Sequence, residues 1–205
     1  MDKLDTPWPM NLFDKICPVI VSISDEVLGL ANKFNIVELR IDLVGPSWID
    51  VANRIKTTWI ATCRSTREGG MFNGSYEDIV NVLFQAVKMG AKYVDIELSL
   101  NNLSRAIELL KSKGAKVIIS YHNYKETPSL KALISIIKRE ITHGADVWKI
   151  ATLAKNYEDC VRVLKLLKMF RGAPGIALAM GERGVITRIL SPLMGSFLTY
   201  ASIKK

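Results

Sequence analysis

Three observations predict that this sequence of 205 residues folds as an α/β protein, a (β/α)8 TIM barrel. Short runs rich in Val and Ile alternate with amphipathic stretches, the amphipathic stretches end near glycines, and the apolar runs number eight. A strand, a helix and a Gly in succession form a βα unit, and parallel strands need such helical crossovers. Because no Pro/Ser-rich linker divides the eight units, we expect one barrel domain over residues 1–205.

The apolar runs are the predicted strands. Most are four to seven residues long and nearly continuously apolar, as strands are when both faces of their sheet are covered. The predicted strands are Pro18–Ile23, Ile36–Ile41, Thr58–Cys63, Tyr93–Leu98, Lys116–Tyr121, Asp146–Ala151, Gly175–Met180 and Ser196–Tyr200. A doubly wound open sheet is the alternative, but its first strand is usually followed by a Gly-rich turn, which residues 21–25 lack.

Four of the intervening stretches are predicted helices. Their apolar residues recur at steps of three and four, and each stretch ends at or near a glycine that can stop a helix. The predicted helices are Asp78–Met89, Leu103–Lys113, Pro128–Thr142 and Tyr157–Phe170. They supply the crossovers that follow the third to the sixth predicted strands.

Composition and charge limit the classes of partner. Hydrophobic residues make up 49% and charged residues 23% of the chain, which excludes a disordered, collagen-like or disulfide-scaffold protein. The formal net charge of +8 suits an anionic small molecule, a nucleic acid or an acidic membrane surface. No basic run is interleaved with aromatic residues, which stacking on bases requires, so we expect no nucleic-acid partner. The longest uncharged stretch, Ile189–Ile203, is shorter than the ~20 residues of a membrane helix, so we expect no membrane partner.

Cysteine usage indicates the compartment. Cys17, Cys63 and Cys160 form an odd set with no CxxC motif and no Cys/His cluster, which disfavours a disulfide framework and a metal site. The N-terminal residues 1–15 contain acids among the apolar residues and no apolar core of signal-peptide length. We therefore expect a cytoplasmic protein without a structural metal.

Charges within the second predicted strand are the first candidate site residues. Its alternation places Glu38, Arg40 and Asp42 on one face and apolar residues on the other. Barrel chemistry lies at the C-terminal ends of the strands, so we expect these three charges to point into the mouth of the barrel. The alternative is an edge strand with a solvated, charged face.

Two glycine-containing segments add charged candidates. Arg64 ends the third apolar run, and Glu68 follows it just before Gly69 and Gly70, a composition found in substrate loops and in many surface loops. Arg188 ends a segment after the seventh run, where its guanidinium fork could hold a carboxylate.

A histidine and a lysine on neighbouring strands suggest the chemistry. His122 follows the fifth apolar run and is placed to act as an acid or base. His143 lies just before a Gly in a helix-ending loop, and we interpret it as a structural histidine. Lys149 lies within the sixth apolar run, and burial disfavours the charged form of an amine. A neutral lysine amine adds to a carbonyl to give a Schiff base. The alternative is a lysine at a strand end whose amine reaches solvent. Together these residues predict an anionic carbonyl substrate bearing a carboxylate.

Six stretches carry a resemblance to a known family. They are ELRID from Glu38, TCRSTREGG from Thr62, DIEL from Asp95, SYHNY from Ser120, WKIA from Trp148 and AMGERGVITR from Ala179. In this order they resemble the type I 3-dehydroquinate dehydratases, the Schiff-base form of the third shikimate-pathway enzyme. The resemblance spans residues 21 to about 202. It implies a (β/α)8 barrel, often a homodimer, that needs no metal or organic cofactor.

The resemblance also implies roles for the candidate residues. Lys149 would attack the ketone of 3-dehydroquinate, His122 would move protons in a syn elimination, and Glu68 would hold the His122 tautomer. Arg188 would bind the substrate carboxylate. The expected contacts to the rest of the substrate come from Glu38, Arg40 and Arg64 at the ring hydroxyls, and from Ser22 on the first strand.

The sequence departs from the family at its end. Family members continue past the eighth strand with a loop of the type Ala-Pro-Gly-Gln and a last helix, whereas this sequence stops at residues 201–205. We therefore expect a barrel that lacks the final helix, with weakened substrate binding and closure more than weakened Schiff-base formation. A class I aldolase on the same fold and a catalytically impaired homologue are the alternatives.

Overall fold

Eight parallel strands carry the architecture in a computed structural model that describes residues 12–203. The strands are β1 (Ile16–Ile20), β2 (Ile36–Arg40), β3 (Thr58–Thr62), β4 (Tyr93–Glu97), β5 (Lys116–Asn123), β6 (Val147–Leu153), β7 (Gly175–Met180) and β8 (Thr199–Ser202). The sheet order is β7-β6-β5-β4-β3-β2-β1-β8, with every pair parallel. This is the predicted (β/α)8 barrel in a nearly closed form.

Helices fill each of the seven crossovers. They are α1 (Asp25–Ala31), α2 (Ile41–Val44), α3 (Trp48–Arg54), α4 (Tyr76–Lys88), α5 (Leu103–Ser112), α6 (Leu130–Thr142), α7 (Tyr157–Met169) and α8 (Val185–Leu193). The longer ones begin at capping residues, as the Ser75 hydroxyl accepts a hydrogen bond from the Asp78 backbone and the Asp78 carboxylate binds back to the Ser75 backbone. Within the described residues no helix follows β8.

Closure of the barrel is asymmetric. β1 pairs with β2 on one side, through Val19 and Glu38, and with β8 on the other, from Ile16 and Thr199 onwards. Among residues 12–203 no ladder joins β7 to β8. The segment before β8 instead contacts the first residue of β7, as the Phe197 N–H and the Ser196 hydroxyl donate hydrogen bonds of 2.7 and 3.3 Å to the Gly175 carbonyl.

Apolar side chains divide into a floor inside the barrel and a layer outside it. The floor contains Cys17, Ile36, Ile60, Ile118, Val147 and Ile176. On β2, Val37 and Leu39 face the outer layer, which leaves Glu38 on the inward face. The charged residues of the strands therefore lie above an apolar floor, at the C-terminal mouth.

The element boundaries correct several predictions. β1 ends at Ile20 rather than Ile23, and β8 covers Thr199–Ser202 rather than Ser196–Tyr200. β5 and β6 extend beyond their apolar runs, because Asn123 still pairs with Thr152 across the two strands. The prediction for Asp42 was wrong in part: the strand ends at Arg40, and Asp42 lies in the helical turn that follows.

Four helices were missed. α1 and α3 have seven residues each and α2 has four, too few for a clear amphipathic period, and α8 contains Pro192. α8 also turns apolar side chains outward, so its pattern is not that of a surface helix. None of the helices described in residues 12–203 has the length and apolar character needed to span a bilayer.

Candidate active site

A cavity of about 810 Å³ opens at the C-terminal ends of the strands, within the usual size range of small-molecule sites. Six of the sequence-predicted site residues line it. They are Glu38, Arg40, Arg64, His122, Lys149 and Arg188. The cavity continues beside β8 as far as Ile189 and Pro192 of α8.

Lys149 projects from β6 into the barrel. Its neighbours Trp148 and Ile150 face the helices, so the alternation of the strand turns the lysine inward, where only 5% of its surface is exposed. The Nζ atom lies 2.6 Å from Asp95 Oδ2 and 3.1 Å from the Tyr200 hydroxyl. The amine is therefore buried and held by polar groups that the apolar run around Lys149 does not indicate.

Asp95 joins the lysine to a second cation. Its Oδ1 atom accepts hydrogen bonds of 2.6 Å from both Arg64 and the Ser120 hydroxyl, while Oδ2 accepts from Lys149. Burial raises the pKa of the Asp95 carboxyl, but the charges of Arg64 and Lys149 outweigh burial and hold that pKa well below its usual range. Asp95 is thus a carboxylate at neutral pH, and it fixes both cations in one network.

Arg64 is the most enclosed of the predicted arginines, with 3% of its surface exposed. Besides Asp95, its guanidinium donates a hydrogen bond of 3.0 Å to the Ser120 hydroxyl and lies 3.5 Å from Glu97 Oε1. Although burial works in the other direction, the charges of Asp95 and Glu97 raise the pKa of Arg64 further, so it stays cationic.

His122 and Glu68 form a pair at the edge of the cavity. His122 Nδ1 lies 3.1 Å from Glu68 Oε2, and the Ser99 hydroxyl donates to Glu68 Oε1 at 2.7 Å. Burial, together with the charges of Arg64 and Lys149, holds the pKa of His122 well below its usual value, so the imidazole is neutral at neutral pH. Burial raises the pKa of Glu68 to about 7.

The loop after β3 carries Glu68 to this position. The loop folds back on itself, because the Phe72 N–H donates to the Arg64 carbonyl and the Gly70 N–H donates to the Ser65 carbonyl. Gly69 has a left-handed φ of 74°, and a Cβ on Gly70 would lie 2.1 Å from the Arg64 carbonyl oxygen. The paired glycines noted in the sequence therefore allow the tight turn that presents Glu68.

Glu38 and Arg40 occupy the β2 side of the mouth. Glu38 Oε1 accepts a hydrogen bond of 2.8 Å from the Thr62 hydroxyl and lies 3.8 Å from Lys149 Nζ. Arg40 donates two hydrogen bonds to the Asp42 carboxylate, at 2.8 and 2.7 Å. Thus β2 does supply charges to the mouth.

The remaining predicted residues lie outside the charged network around Lys149. Arg188 lies on α8, reaches the cavity from there and donates a hydrogen bond of 3.1 Å to the Tyr200 carbonyl. Ser22 follows β1 on the exposed surface and does not line the cavity. His143 lies outside the cavity, where its Nδ1 is 3.3 Å from the Ser104 hydroxyl.

Comparisons with known proteins identify the family of the chain. A model of the type I 3-dehydroquinase family matches residues 18–205. The chain belongs to the type I 3-dehydroquinase family. A 3-dehydroquinate dehydratase of Dehalococcoides mccartyi is 39% identical over 189 residues, which are 92% of this chain and 85% of the relative. Another, from Methanocaldococcus jannaschii, is 36% identical over 197 residues, covering 92% of this chain and 89% of the relative.

Solved structures of 3-dehydroquinases are similar in fold. The type I 3-dehydroquinate dehydratase of Clostridium difficile, determined with covalent modified comenic acid, has a TM-score of 0.83 at 25% identity, covering 94% of this chain and 85% of that one. The enzyme of Aquifex aeolicus has a TM-score of 0.75 at 30% identity, covering 91% and 89%. A deoxyribose phosphate aldolase of Aeropyrum pernix, at 17% identity and a TM-score of 0.65, shares the fold alone.

Sequence reasoning about this type I 3-dehydroquinase missed three contributors to the site. Asp95 was part of a quoted motif but received no role, although a charge within an apolar run is the same signal that identified Glu38. Ser120 and Tyr200 carry no such signal. They join the site because β5 and β8 bring their hydroxyls to Asp95 and Lys149 from distant parts of the sequence.

Proposed function

We propose that this chain dehydrates 3-dehydroquinate to 3-dehydroshikimate by a syn elimination through a Schiff base on Lys149. The observation that carries the proposal is the buried Lys149 amine, which shares one cavity with a neutral histidine and with Arg188. Membership of the 3-dehydroquinase family supports the identity of the substrate.

The first step is formation of the Schiff base. The Lys149 amine, after releasing a proton, attacks the ketone carbon, and the carbonyl oxygen then leaves as water to give an iminium. Asp95 Oδ2 at 2.6 Å orients the amine, and the carboxylate can stabilise the positive iminium that replaces the ammonium. Arg64 on the other Asp95 oxygen keeps that carboxylate in place.

The second step is elimination. In the proposal, His122 removes a proton from the carbon next to the iminium, and the electron pair moves to the nitrogen to give an enamine. The enamine then expels the hydroxyl group, which takes the proton from His122 and leaves as water. Hydrolysis of the resulting conjugated iminium releases 3-dehydroshikimate and restores Lys149. The depressed pKa of His122 supports its role as the base, because its neutral form predominates.

Glu68 sets the reactive tautomer of His122 in this proposal. When ionised, Glu68 accepts a hydrogen bond from the Nδ1–H group of His122, which leaves the Nε2 lone pair free to take a proton from the substrate. The Ser99 hydroxyl holds the other Glu68 oxygen, so the carboxylate keeps its orientation.

The substrate-binding roles rest on position and charge. We assign the carboxylate to Arg188, because its guanidinium reaches the cavity on the side of β8, away from the buried Arg64. Glu38, Arg40 and Arg64 are assigned to the ring hydroxyls. Ser22 stays a prediction that the family resemblance alone supports. Side chains supply every step, and the iminium that Lys149 forms with the substrate is the electron sink, so the proposal invokes no metal and no organic cofactor.

A dehydration assay on the purified protein tests the proposed function. We expect 3-dehydroquinate to yield the conjugated enone, with Lys149→Ala inactive and the exposed Lys155→Ala as active as wild type. A class I aldolase would instead cleave sugar phosphates, so release of an aldehyde from such substrates, without dehydration, would contradict the proposal. A folded wild-type protein that binds 3-dehydroquinate without converting it would indicate the catalytically impaired alternative.

Location and assembly complete the proposal. We propose a cytoplasmic enzyme, because its three cysteines are free and suit a reducing compartment. We also propose a homodimer, as the resemblance implies, and the exposed apolar side chains of Val185, Ile189 and Leu193 on α8 are available for contact. Light scattering of the purified chain tests the dimer.

A further inference from the structure

A buried carboxyl group lies behind the strand that carries Lys149. Glu140 is near the C-terminal end of α6, on the same buried face as Leu133 and Ile137, and none of its surface is exposed. This face packs against β6, where an amphipathic helix normally presents apolar residues. Glu140 does not line the cavity, so it requires an explanation other than substrate contact.

Glu140 binds the segment that leads to Lys149 at two points. Its Oε2 atom accepts a hydrogen bond of 3.2 Å from the Lys149 backbone N–H. Its own backbone carbonyl accepts another, of 3.1 Å, from the Ala145 N–H in the turn before β6. The two bonds fix the turn and the start of β6 relative to α6.

The backbone N–H groups change direction where the chain enters β6, just before the lysine. The Asp146 N–H donates to Val117 of β5, whereas the Trp148 N–H donates to Pro174, on the side of β7. Asp146 is the last residue before β6, so the change of direction falls at the start of the strand. The N–H after that of Trp148 is that of Lys149, and the Glu140 carboxyl accepts it.

Burial of the Glu140 carboxyl destabilises the fold unless its hydrogen bond to the Lys149 backbone compensates. Glu140 Oε1 has no hydrogen-bond partner within residues 12–203, and an unpartnered buried polar atom is destabilising. Burial raises the pKa of the Glu140 carboxyl well above its usual value, although the hydrogen bond from the Lys149 backbone opposes this. A neutral carboxyl still offers a carbonyl-type oxygen to the Lys149 N–H.

We infer that Glu140 is a positioning residue for Lys149: its carboxyl holds the backbone N–H of the lysine from behind the sheet and so fixes where the amine stands in the mouth. The inference rests on the proposed Schiff-base function. Glu140 touches no reacting atom. It acts through the backbone of β6, while Asp95 and Tyr200 hold the other end of the same side chain.

Replacing the acceptor while keeping the volume tests this inference. In Glu140→Met we expect kcat, and the rate of borohydride trapping on Lys149, to fall about 10- to 100-fold, because small displacements of a reacting group have effects of that size. KM should stay close to wild type, because the substrate contacts are intact. Glu140→Gln keeps a neutral carbonyl acceptor and should restore both rates. Ile137→Met, on the same buried face of α6 but without a side chain that can accept a hydrogen bond in the wild type, is the matched control.

The outcomes separate the two claims. No adduct on Lys149 of the wild-type protein would overturn the proposed function itself. If the wild type is trapped at Lys149 and Glu140→Met reacts as fast as Ile137→Met, the role of Glu140 is overturned while the function stands. Equal losses in Glu140→Gln and Glu140→Met would also overturn it, because the amide retains the acceptor. Glu140→Leu repeats the test if Glu140→Met does not fold.

Discussion

The two sides of the barrel mouth are built differently. On the side of β3 to β6, Arg64, Asp95 and Lys149 are buried and joined by charged hydrogen bonds as short as 2.6 Å. On the side of β8 and β1, Arg188 is half-buried with one hydrogen bond to a carbonyl, and Ser22 is exposed. The network around Lys149 is thus fixed in advance, while Arg188, proposed to bind the substrate carboxylate, reaches an open cavity.

This difference indicates different roles for the two groups of residues: catalysis for the buried network and substrate binding for Arg188. Groups held in place before the substrate arrives need no reorganisation when charge develops, which is the main source of electrostatic catalysis. An open, basic entrance suits the arrival of an anion. Changes to the groups that hold or assist Lys149 should therefore lower kcat, and a change at Arg188 should mainly raise KM.

The largest effect that would sharpen this comparison is expected at the base. His122→Ala should lower kcat by about 100- to 10,000-fold, the usual contribution of a general base, and should still allow the Schiff base to form. Steady-state kinetics and borohydride trapping measure the two effects. His143→Ala is the control, because this second histidine lies outside the cavity. A wild-type kcat in His122→Ala would show that His122 is not the base and would contradict the chemical role of this side of the mouth.

Removal of the charge on Arg188 tests the open side. Arg188→Met should raise KM by about 10- to 100-fold, since hydrogen bonds to charged groups contribute about 1.5–3 kcal/mol, with a smaller change in kcat. Arg183→Met, an exposed arginine in the same segment, should be neutral. A fall in kcat of Arg188→Met with an unchanged KM would contradict the proposed substrate-binding role of Arg188.

The Glu68–His122 pair predicts a pH dependence. Below its pKa of about 7, Glu68 becomes protonated and can donate to Nδ1, which places the His122 proton on Nε2 and blocks the base. We therefore expect kcat to fall as the pH drops through about 7. Glu68→Gln cannot titrate, so its kcat should no longer fall as the pH drops through about 7. Its activity at high pH should be about tenfold lower than that of the wild type, because no negative charge balances the imidazolium. If kcat of Glu68→Gln falls with pH as in the wild type, the titrating group is not Glu68.

The smallest effect is expected at Tyr200. Tyr200→Phe removes only the hydroxyl that lies 3.1 Å from Lys149 Nζ and leaves the ring beneath the amine. Loss of one such hydrogen bond should lower kcat by about 2- to 10-fold. Tyr93→Phe, which packs against Phe197 in the floor, is the matched control. If the two variants behave alike, the hydroxyl does not help to hold the amine.

The sequence predicts much of the barrel because strand alternation is a local property. A lysine between Trp148 and Ile150 must face away from the helix layer if its neighbours face towards it, and the same reasoning places Glu38 inside. Strand ends were less predictable. β5 continues through the polar residues His122 and Asn123 because β6 beside it continues, and pairing between strands is invisible in one strand's composition.

The rest of the site depends on contacts between distant residues. Asp95 and Lys149 are 54 residues apart and meet through the register of β4, β5 and β6. Arg188 was expected after a strand but lies on α8, and whether a helix residue reaches the cavity depends on the turn before the helix. Glu140 was invisible as a site residue, because a glutamate near a helix end normally faces water.

Borohydride trapping with 3-dehydroquinate tests the central claim most directly. Reduction of the proposed iminium leaves a stable covalent adduct, which intact mass measures and peptide mapping locates. The account predicts one adduct, on Lys149, in the wild type and in His122→Ala, and none in Lys149→Ala. An adduct on Lys155 or Lys116, or none in active wild-type protein, would contradict it.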